Sequence, residues 1–364
     1  MSGLFSTLLR PIFFGFDAEQ AHGLAIKALK TGFMPSPVCK SDARLRVDVA
    51  GINFPNPLGM AAGFDKNAEV PDALLRLGFG FAEIGTVTPI AQTGNPKPRV
   101  FRLVDDNAVI NRLGFNNAGH EAALGQLRAR FGKPGIVGVN IGANKDTEDR
   151  AEDYVRGIKT FYDVATYYTV NISSPNTPGL RNLQARASLA ELLARVMAAR
   201  NEMASGRGRI VPVFLKIAPD LMEADLDDVA AELLANKLEG LIVSNTTLSR
   251  TGLKGANSTE TGGLSGVPLF ERSTIVLSKM RQRIGKNAAI IGVGGVDSAK
   301  AALVKIEAGA DLVQLYTSFI YEGPGLANKI VKGLSRALDQ SGAKSISEHC
   351  GRKTAEWAAK PIPA

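Results

Sequence analysis

From Pro57 onward, short apolar runs alternate with segments whose apolar residues recur at helical spacing. The runs are Leu58 to Ala62, Phe81 to Val87, Ile136 to Ile141, Tyr167 to Ile172, Val211 to Ile217, Gly240 to Ser244, Ala288 to Val293 and Asp311 to Tyr316. Continuous apolar runs of this length read as strands buried on both faces. The helical patterns cover Glu121 to Phe131, Glu148 to Phe161, Leu189 to Met203, Glu223 to Leu234, Phe270 to Ile284, Ala299 to Glu307 and Leu326 to Leu338. Strands separated by helices predict a parallel sheet, and eight strands is the number that closes a (β/α)8 TIM barrel. The alternative is an open doubly wound sheet. That fold carries GxGxxG after its first strand, and Gly63-Phe64-Asp65 does not make the motif.

Two segments break the alternation. In Arg99 to Asn117, apolar residues flank the turn Asp105-Asp106-Asn107, which predicts a β-hairpin inserted over the barrel top. At the N-terminus, Leu4, Phe5, Leu8, Leu9, Ile12, Phe13 and Phe16 form one wide apolar stripe on a short helix that Pro11 should end or kink. A second helix follows, with Asp17 and Gln20 as N-cap and capping box, Ala21, Leu24, Ala25 and Leu29 as the apolar face, and Gly32 and Pro35 as the stop. The pair is too short, and too interrupted by Arg10 and Asp17, to span a bilayer, and it has no signal-peptide cleavage site. It either caps the lower end of the barrel or lies in a membrane interface; Arg10, Lys27 and Lys30 favour the interface. The expected units are a helical hairpin over 1–40, a catalytic barrel over 41–340 and a tail over 341–364 to which no role is assigned.

The chain has 364 residues, 45% hydrophobic and 21% charged, enough for a full core. Its net charge of +8 suits an anionic membrane or anionic small molecules. No arginine-rich run or RNA-binding motif is present, so nucleic acid is not an expected partner. Cys39 and Cys350 are far apart, and His22, His120 and His349 have no metal-ligand grouping, so neither a disulfide framework nor a metal site is expected. A reducing, cytoplasm-facing compartment fits this composition.

The richest chemistry lies in Asn171-Ile172-Ser173-Ser174-Pro175-Asn176-Thr177-Pro178-Gly179-Leu180-Arg181, where amides and hydroxyls follow the end of a strand. Its prolines and glycine make it a stiff loop that can hold side chains at set angles. Gly292-Val293-Gly294-Gly295 after the seventh strand and Tyr316-Thr317-Ser318 after the eighth suit a phosphate, which barrels often bind there through freed amides. Lys216, inside the apolar Phe214-Leu215-Lys216-Ile217, needs an anion to offset its desolvation, or serves as a Schiff-base lysine.

Together with Ala61-Ala62-Gly63-Phe64-Asp65-Lys66-Asn67, Asn111-Arg112-Leu113-Gly114-Phe115-Asn116-Asn117 and Gly292-Val293-Gly294-Gly295-Val296, that loop resembles dihydroorotate dehydrogenase of the membrane-associated, quinone-dependent class. The resemblance runs from about residue 5 to about residue 340. It implies oxidation of dihydroorotate to orotate in pyrimidine biosynthesis, with FMN as hydride acceptor and a membrane quinone as final oxidant.

By the same resemblance, Ser174 is the base, where the soluble class has cysteine, with Thr177 close to its proton's exit through water and Phe115 limiting solvent. Lys66, Asn111, Arg112, Leu113, Gly114, Phe115, Asn171, Asn176, Asn245 and Thr246 meet the substrate. Ala62, Gly63, Thr86, Asn140, Asn171, Lys216, Ser244, Gly266, Gly295, Tyr316 and Thr317 hold the flavin, and His22, Arg102 and Tyr316 meet the quinone. The expected molecule is a monomer on the cytoplasmic face of the cell inner membrane. A phosphate-binding barrel lyase or isomerase using Lys216 without flavin is the alternative.

Overall fold

The computed structural model describes residues 10–32 and 42–363. Leu4 to Leu9 of the apolar stripe, Pro35 and Cys39 lie outside the described residues. Helical backbone covers Arg10–Gly15 and Ala18–Lys30. Pro11 is the second residue of the described part, and its effect on the stripe before Arg10 lies outside the described residues. Asp17 Oδ1 accepts from the amides of Glu19 at 2.9 Å and Gln20 at 3.2 Å, as an N-cap does. Gln20 makes no return bond, so the cap is one-sided and not a box.

The strands follow in chain order. β1 (Val47–Val49) and β2 (Ile52–Phe54) form an antiparallel ribbon. β3 (Leu58–Asp65) and β4 (Phe81–Val87) begin the barrel, and β5 (Val100–Leu103) with β6 (Ala108–Asn111) is the expected hairpin. β7 (Ile136–Ile141), β8 (Tyr167–Asn171), β9 (Val213–Ile217) and β10 (Gly240–Val243) continue the barrel. β11 (Gly263–Gly266) leaves it to pair antiparallel with β6. β12 (Ala289–Val293) and β13 (Leu312–Leu315) complete a closed barrel in the order β10-β12-β13-β3-β4-β7-β8-β9.

All eight expected runs are barrel strands, and the seven expected helices are present with ends moved by a few residues. β3 runs on to Asp65 through a register shift between Met60 and Asp65, a bulge that brings Ala62 and Gly63 to the barrel mouth. Pro71–Arg76 and Thr317–Glu322 are further helices, each too short to display a period. Beyond Ser341 the chain stays packed: helix Thr354–Ala358 lies on helix Phe270–Ile284, with Trp357 edge-on to Phe270 at 6.4 Å. Among the described residues no helix is long and apolar enough to cross a membrane.

The barrel floor is built from unequal neighbours. Phe81, Tyr167 and Phe214 point inward from β4, β8 and β9, and each faces a glycine on the next strand, Gly59, Gly138 and Gly240, where a β-carbon would collide with the ring. Phe54 from the ribbon closes the floor, 5.1 Å from Phe81. With the bottom filled, polar groups can enter the barrel only higher up, near the C-terminal ends of the strands.

Candidate active site

Those strand ends open into a cavity of about 880 Å³, walled above by the β5–β6–β11 sheet and the N-terminal helices. Every residue expected to serve substrate, flavin or quinone lines it, with two exceptions. Arg112 is turned outward: Nη1 pairs with Glu260 at 2.6 Å, Nη2 donates to the Pro98 carbonyl at 3.0 Å, and the guanidinium lies over Phe101. Asn140 lies one layer beneath the cavity, fully buried.

The amides form one linked set. Asn140 Oδ1 accepts from Thr86 Oγ1 at 2.6 Å and from Asn171 Nδ2 at 3.3 Å. Asn171 Oδ1 accepts from Ser173 Oγ at 2.9 Å, and Asn245 Nδ2 donates to that serine at 3.0 Å. On the opposite wall, Asn176 Nδ2 donates to Asn111 Oδ1 at 3.3 Å. Thr246 Oγ1 is buried without a partner in the described residues. Side chains from β4, β6, β8 and the loop after β10 thus present donors and acceptors together, as recognition of a planar polar ring requires.

Ser174 is buried, and its Oγ accepts from the Asn176 amide at 3.2 Å. The loop is braced by Arg181, which donates to the carbonyls of Ser173 at 3.1 Å and Thr246 at 3.0 Å and pairs with Asp220 at 2.9 Å. Thr177 Oγ1 is buried with no hydrogen-bond partner in the described residues. Phe115 lines the cavity with φ at +54°, a conformation that a bulky side chain seldom adopts.

Of the lysines that line the cavity, Lys329 pairs with Glu322 at 3.5 Å, whereas Lys66 and Lys216 make no hydrogen bond to a described residue. The surface that Lys66 retains faces the cavity, and burial lowers its pKa to about 8, opposed by the nearby Glu19. Lys216 is buried on β9, and desolvation lowers its pKa, opposed by Glu83. Unpaired buried cations cost free energy until anions arrive. The cavity is therefore prepared for anionic occupants.

At the ends of β12 and β13, Gly294 and Gly295 hold φ of +106° and +71°. Their amides donate to nothing among the described residues. Ser273 and Phe270 fill the space where their β-carbons would stand, so only glycine fits. Thr317 Oγ1 donates to Ser265 Oγ at 2.8 Å beside them. Free amides with a hydroxyl are a phosphate cradle.

Toward the helical pair, Tyr316 Oη and His22 Nδ1 lie 3.4 Å apart, and Phe64 packs edge-on to both rings. Burial lowers the His22 pKa to about 3, so its ring is neutral. Arg102 is largely committed elsewhere, donating to the carbonyls of Phe13, Phe14 and Phe16 at 3.1–3.3 Å.

Sequence reasoning missed Glu83, Arg99 and Arg181. Glu83 had a signal, a carboxylate inside the apolar Phe81 to Val87 run, of the same kind that singled out Lys216. The two arginines had none, because the carboxylates they pair with, Glu19 and Asp220, lie far away along the chain.

A family model described as dihydroorotate dehydrogenase matches residues 44–338. Relatives described as dihydroorotate dehydrogenase (quinone), from Brucella ovis and Brucella abortus, are 66% identical over 365 residues, spanning 100% of this chain and 100% of each relative. Among solved structures, ligand-free DHODH from Eimeria tenella is similar at a TM-score of 0.88 and 39% identity, covering 93% of this chain and 99% of that one. DHODH from the same organism in complex with ferulenol has the same TM-score of 0.88 and identity of 39%, over 92% of this chain and 95% of that one. With its closed barrel and with similarity of this extent along its whole length, the chain belongs to the dihydroorotate dehydrogenase family, among its quinone-dependent members.

Proposed function

We propose that this chain oxidises (S)-dihydroorotate to orotate in de novo pyrimidine biosynthesis, with FMN as hydride acceptor and a membrane quinone as final electron acceptor. The observation that carries the reading is one cavity onto which Ser174, the two unpaired ammoniums of Lys66 and Lys216, and the amides of Asn111, Asn171, Asn176 and Asn245 all open. Dihydroorotate oxidation follows from family membership; FMN, the residue roles and the site of action are our assignments.

The residues fit FMN. The free amides of Gly294 and Gly295, with the Thr317 hydroxyl, suit its phosphate, and Lys216 suits the end of the ring system that gains negative charge on reduction. Bound there, FMN would supply the two-electron acceptor. Ala62, Gly63, Thr86, Ser244, Gly266 and Tyr316 would complete its walls, with Asn140 supporting them from below.

For the substrate, Lys66 would hold the carboxylate, and Asn111, Asn171, Asn176, Asn245 and Thr246 would read the ureide edges, each asparagine donating and accepting at once. Leu113, Gly114 and Phe115 would cover the site, with only the backbone of Arg112 contributing to that loop. Ser174 would take the C5 proton. A serine alone is a weak base, so the proton would pass on to water, with the Thr177 hydroxyl, which has no partner among the described residues, placed to relay it.

His22 and Tyr316 would meet the quinone head group, with Arg102 holding the end of helix Arg10–Gly15 beside them. We assign membrane attachment to residues 1–40 and catalysis to 41–340, in a monomer peripheral to the cytoplasmic face of the inner membrane. For 341–364 we propose bracing, since Lys353 pairs with Glu307 at 2.7 Å and the terminal helix lies on Phe270–Ile284. Family membership does not favour the lyase or isomerase alternative.

One experiment tests the reading. The purified protein should show a flavin spectrum that bleaches when dihydroorotate is added without oxygen and returns on adding quinone. A colourless protein that folds, or a flavin that dihydroorotate leaves oxidised, would refute it.

A further inference from the structure

Glu83 stands inside the barrel on β4, fully buried, and takes no part in the chemistry described above. Its carboxylate is met by three neutral donors. Asn140 Nδ2 donates to Oε1 at 2.8 Å, while the Tyr167 hydroxyl at 3.0 Å and Gln314 Nε2 at 2.8 Å donate to Oε2. No cation makes an ion pair with it among the described residues.

A carboxylate can only accept, so Asn140 must turn its amino group down toward Glu83 and its carbonyl up. That carbonyl receives Thr86 Oγ1 and Asn171 Nδ2. Asn171 is then obliged to present its own carbonyl to Ser173 Oγ and Asn245 Nδ2. The direction of each amide beneath the substrate follows from one charge at the bottom of the chain of bonds.

The same charge bears on Lys216. Both groups are buried inside the barrel, and among the described residues Glu83 is a charged neighbour that favours the protonated lysine. A buried carboxylate and a buried ammonium, each touched only by neutral groups, offset one another across the interior. Removing either leaves the other uncompensated.

We propose that Glu83 is a positioning residue for the dehydrogenation: it orients Asn140, Asn171 and Asn245 through the hydrogen-bonded chain, and its negative charge opposes that of Lys216, limiting how strongly the site favours reduced flavin. This rests on the flavin reading of the cavity, so its test must separate the two.

Glu83→Gln keeps the shape and removes the charge, and its amide no longer dictates which way Asn140 points. Equilibrated with a reference redox dye, its flavin should be easier to reduce, with the ratio of reduced to oxidised form at a set potential raised about tenfold, the order expected for deleting one nearby unit charge at an effective dielectric of ~20. Orotate should also bind less tightly to this variant. Tyr167→Phe keeps the carboxylate and removes one donor to it, strengthening its field, so the ratio should move the other way. A purely structural Glu83 would lower the melting temperature and leave both ratios at the wild-type value, and that result overturns the proposal. Should Glu83→Gln fail to fold, an unmoved ratio in Tyr167→Phe overturns it alone. Wild-type protein without a flavin spectrum sinks the cofactor reading instead.

Discussion

Arg99 grips Glu19 of helix Ala18–Lys30 through Nε at 3.0 Å and Nη2 at 2.6 Å. Its Nη1 holds the carbonyls of Thr93 at 2.6 Å and Asn95 at 2.7 Å. The Asn95 amide in turn donates to the carbonyls of Arg112 at 2.9 Å and Asn176 at 3.2 Å. The N-terminal helix is thereby latched to the loop carrying Asn176, whose amide we assign to the substrate.

Glu19→Gln should therefore both destabilise the protein and weaken orotate binding. Arg99 is only 6% exposed, so the loss should exceed ~1 kcal/mol while staying below the roughly 3–5 kcal/mol of a fully enclosed pair. Lys97, also paired with Glu19 but 66% exposed, should cost no more than about 0.5 kcal/mol on truncation to alanine. Hydrogen bonding to Arg99 lowers the Glu19 pKa below its ordinary 4.5. A depressed acid stabilises the fold above the ordinary value and loses that contribution as pH falls through the lowered one. The difference between wild type and Glu19→Gln in urea should hold above pH 4.5 and close below it. A constant difference down to strong acid would show that charge is not its source.

Ser174→Ala should retain orotate binding and slow flavin reduction by roughly 10²–10⁴. Thr177→Val is a sharper test of the proton's exit. The threonine hydroxyl is buried without a partner among the described residues, so the isosteric valine removes no hydrogen bond seen there and should leave the melting temperature unchanged or raise it. Reduction in stopped flow should nevertheless slow. Wild-type rates in Thr177→Val would route the proton elsewhere.

Lys66 must be protonated to take a carboxylate, and burial brings its pKa in the free protein down to about 8. Under the proposed assignment, orotate would bind the protonated form and raise that pKa further in the complex. Affinity should be flat below pH 8 and fall toward tenfold per pH unit above it. Lys66→Ala should bind weakly with no such bend, as titration calorimetry would reveal. A wild-type affinity unchanged between pH 7 and about 9.5 would remove Lys66 from carboxylate binding.

On the N-terminal unit, Ile12, Phe16 and Leu24 are 60%, 45% and 39% exposed, apolar surface that water does not favour. Replacing all three with asparagine should reduce flotation with anionic liposomes and slow turnover with long-tailed quinone, while reduction by dihydroorotate proceeds at the wild-type rate. Deleting the whole unit is a poorer test, since it strips Arg99 of Glu19. Unchanged flotation in the triple variant would make the helices a cap on the barrel and nothing more.

Much of this architecture was legible in the chain. A strand buried on both faces needs a short apolar run, and a helix on the barrel wall needs a stripe at its own period; both patterns are confined to neighbouring residues, so the barrel strands and outer helices could be read directly. The strand Gly263–Gly266 escaped notice because Gly-Leu-Ser-Gly carries neither alternation nor β-branched residues; it is a strand because β6 offers it an edge. Likewise, the stiff loop after Tyr167 to Val170 marked Ser174 as a residue held in place.

What only the tertiary structure decided is which of these groups meet. Arg112 sits in the recognised Asn111 to Asn117 motif, yet Glu260 and Phe101 draw its guanidinium out of the cavity. Lys216 stood out as a charge in an apolar run and Glu83, in another such run, was passed over; their opposition across the barrel depends on the stagger of strands far apart along the chain. Periodicity records what a residue needs from its neighbours in sequence. Hydrogen bonds and charge pairs depend on distance in space, and that is set only when the barrel closes.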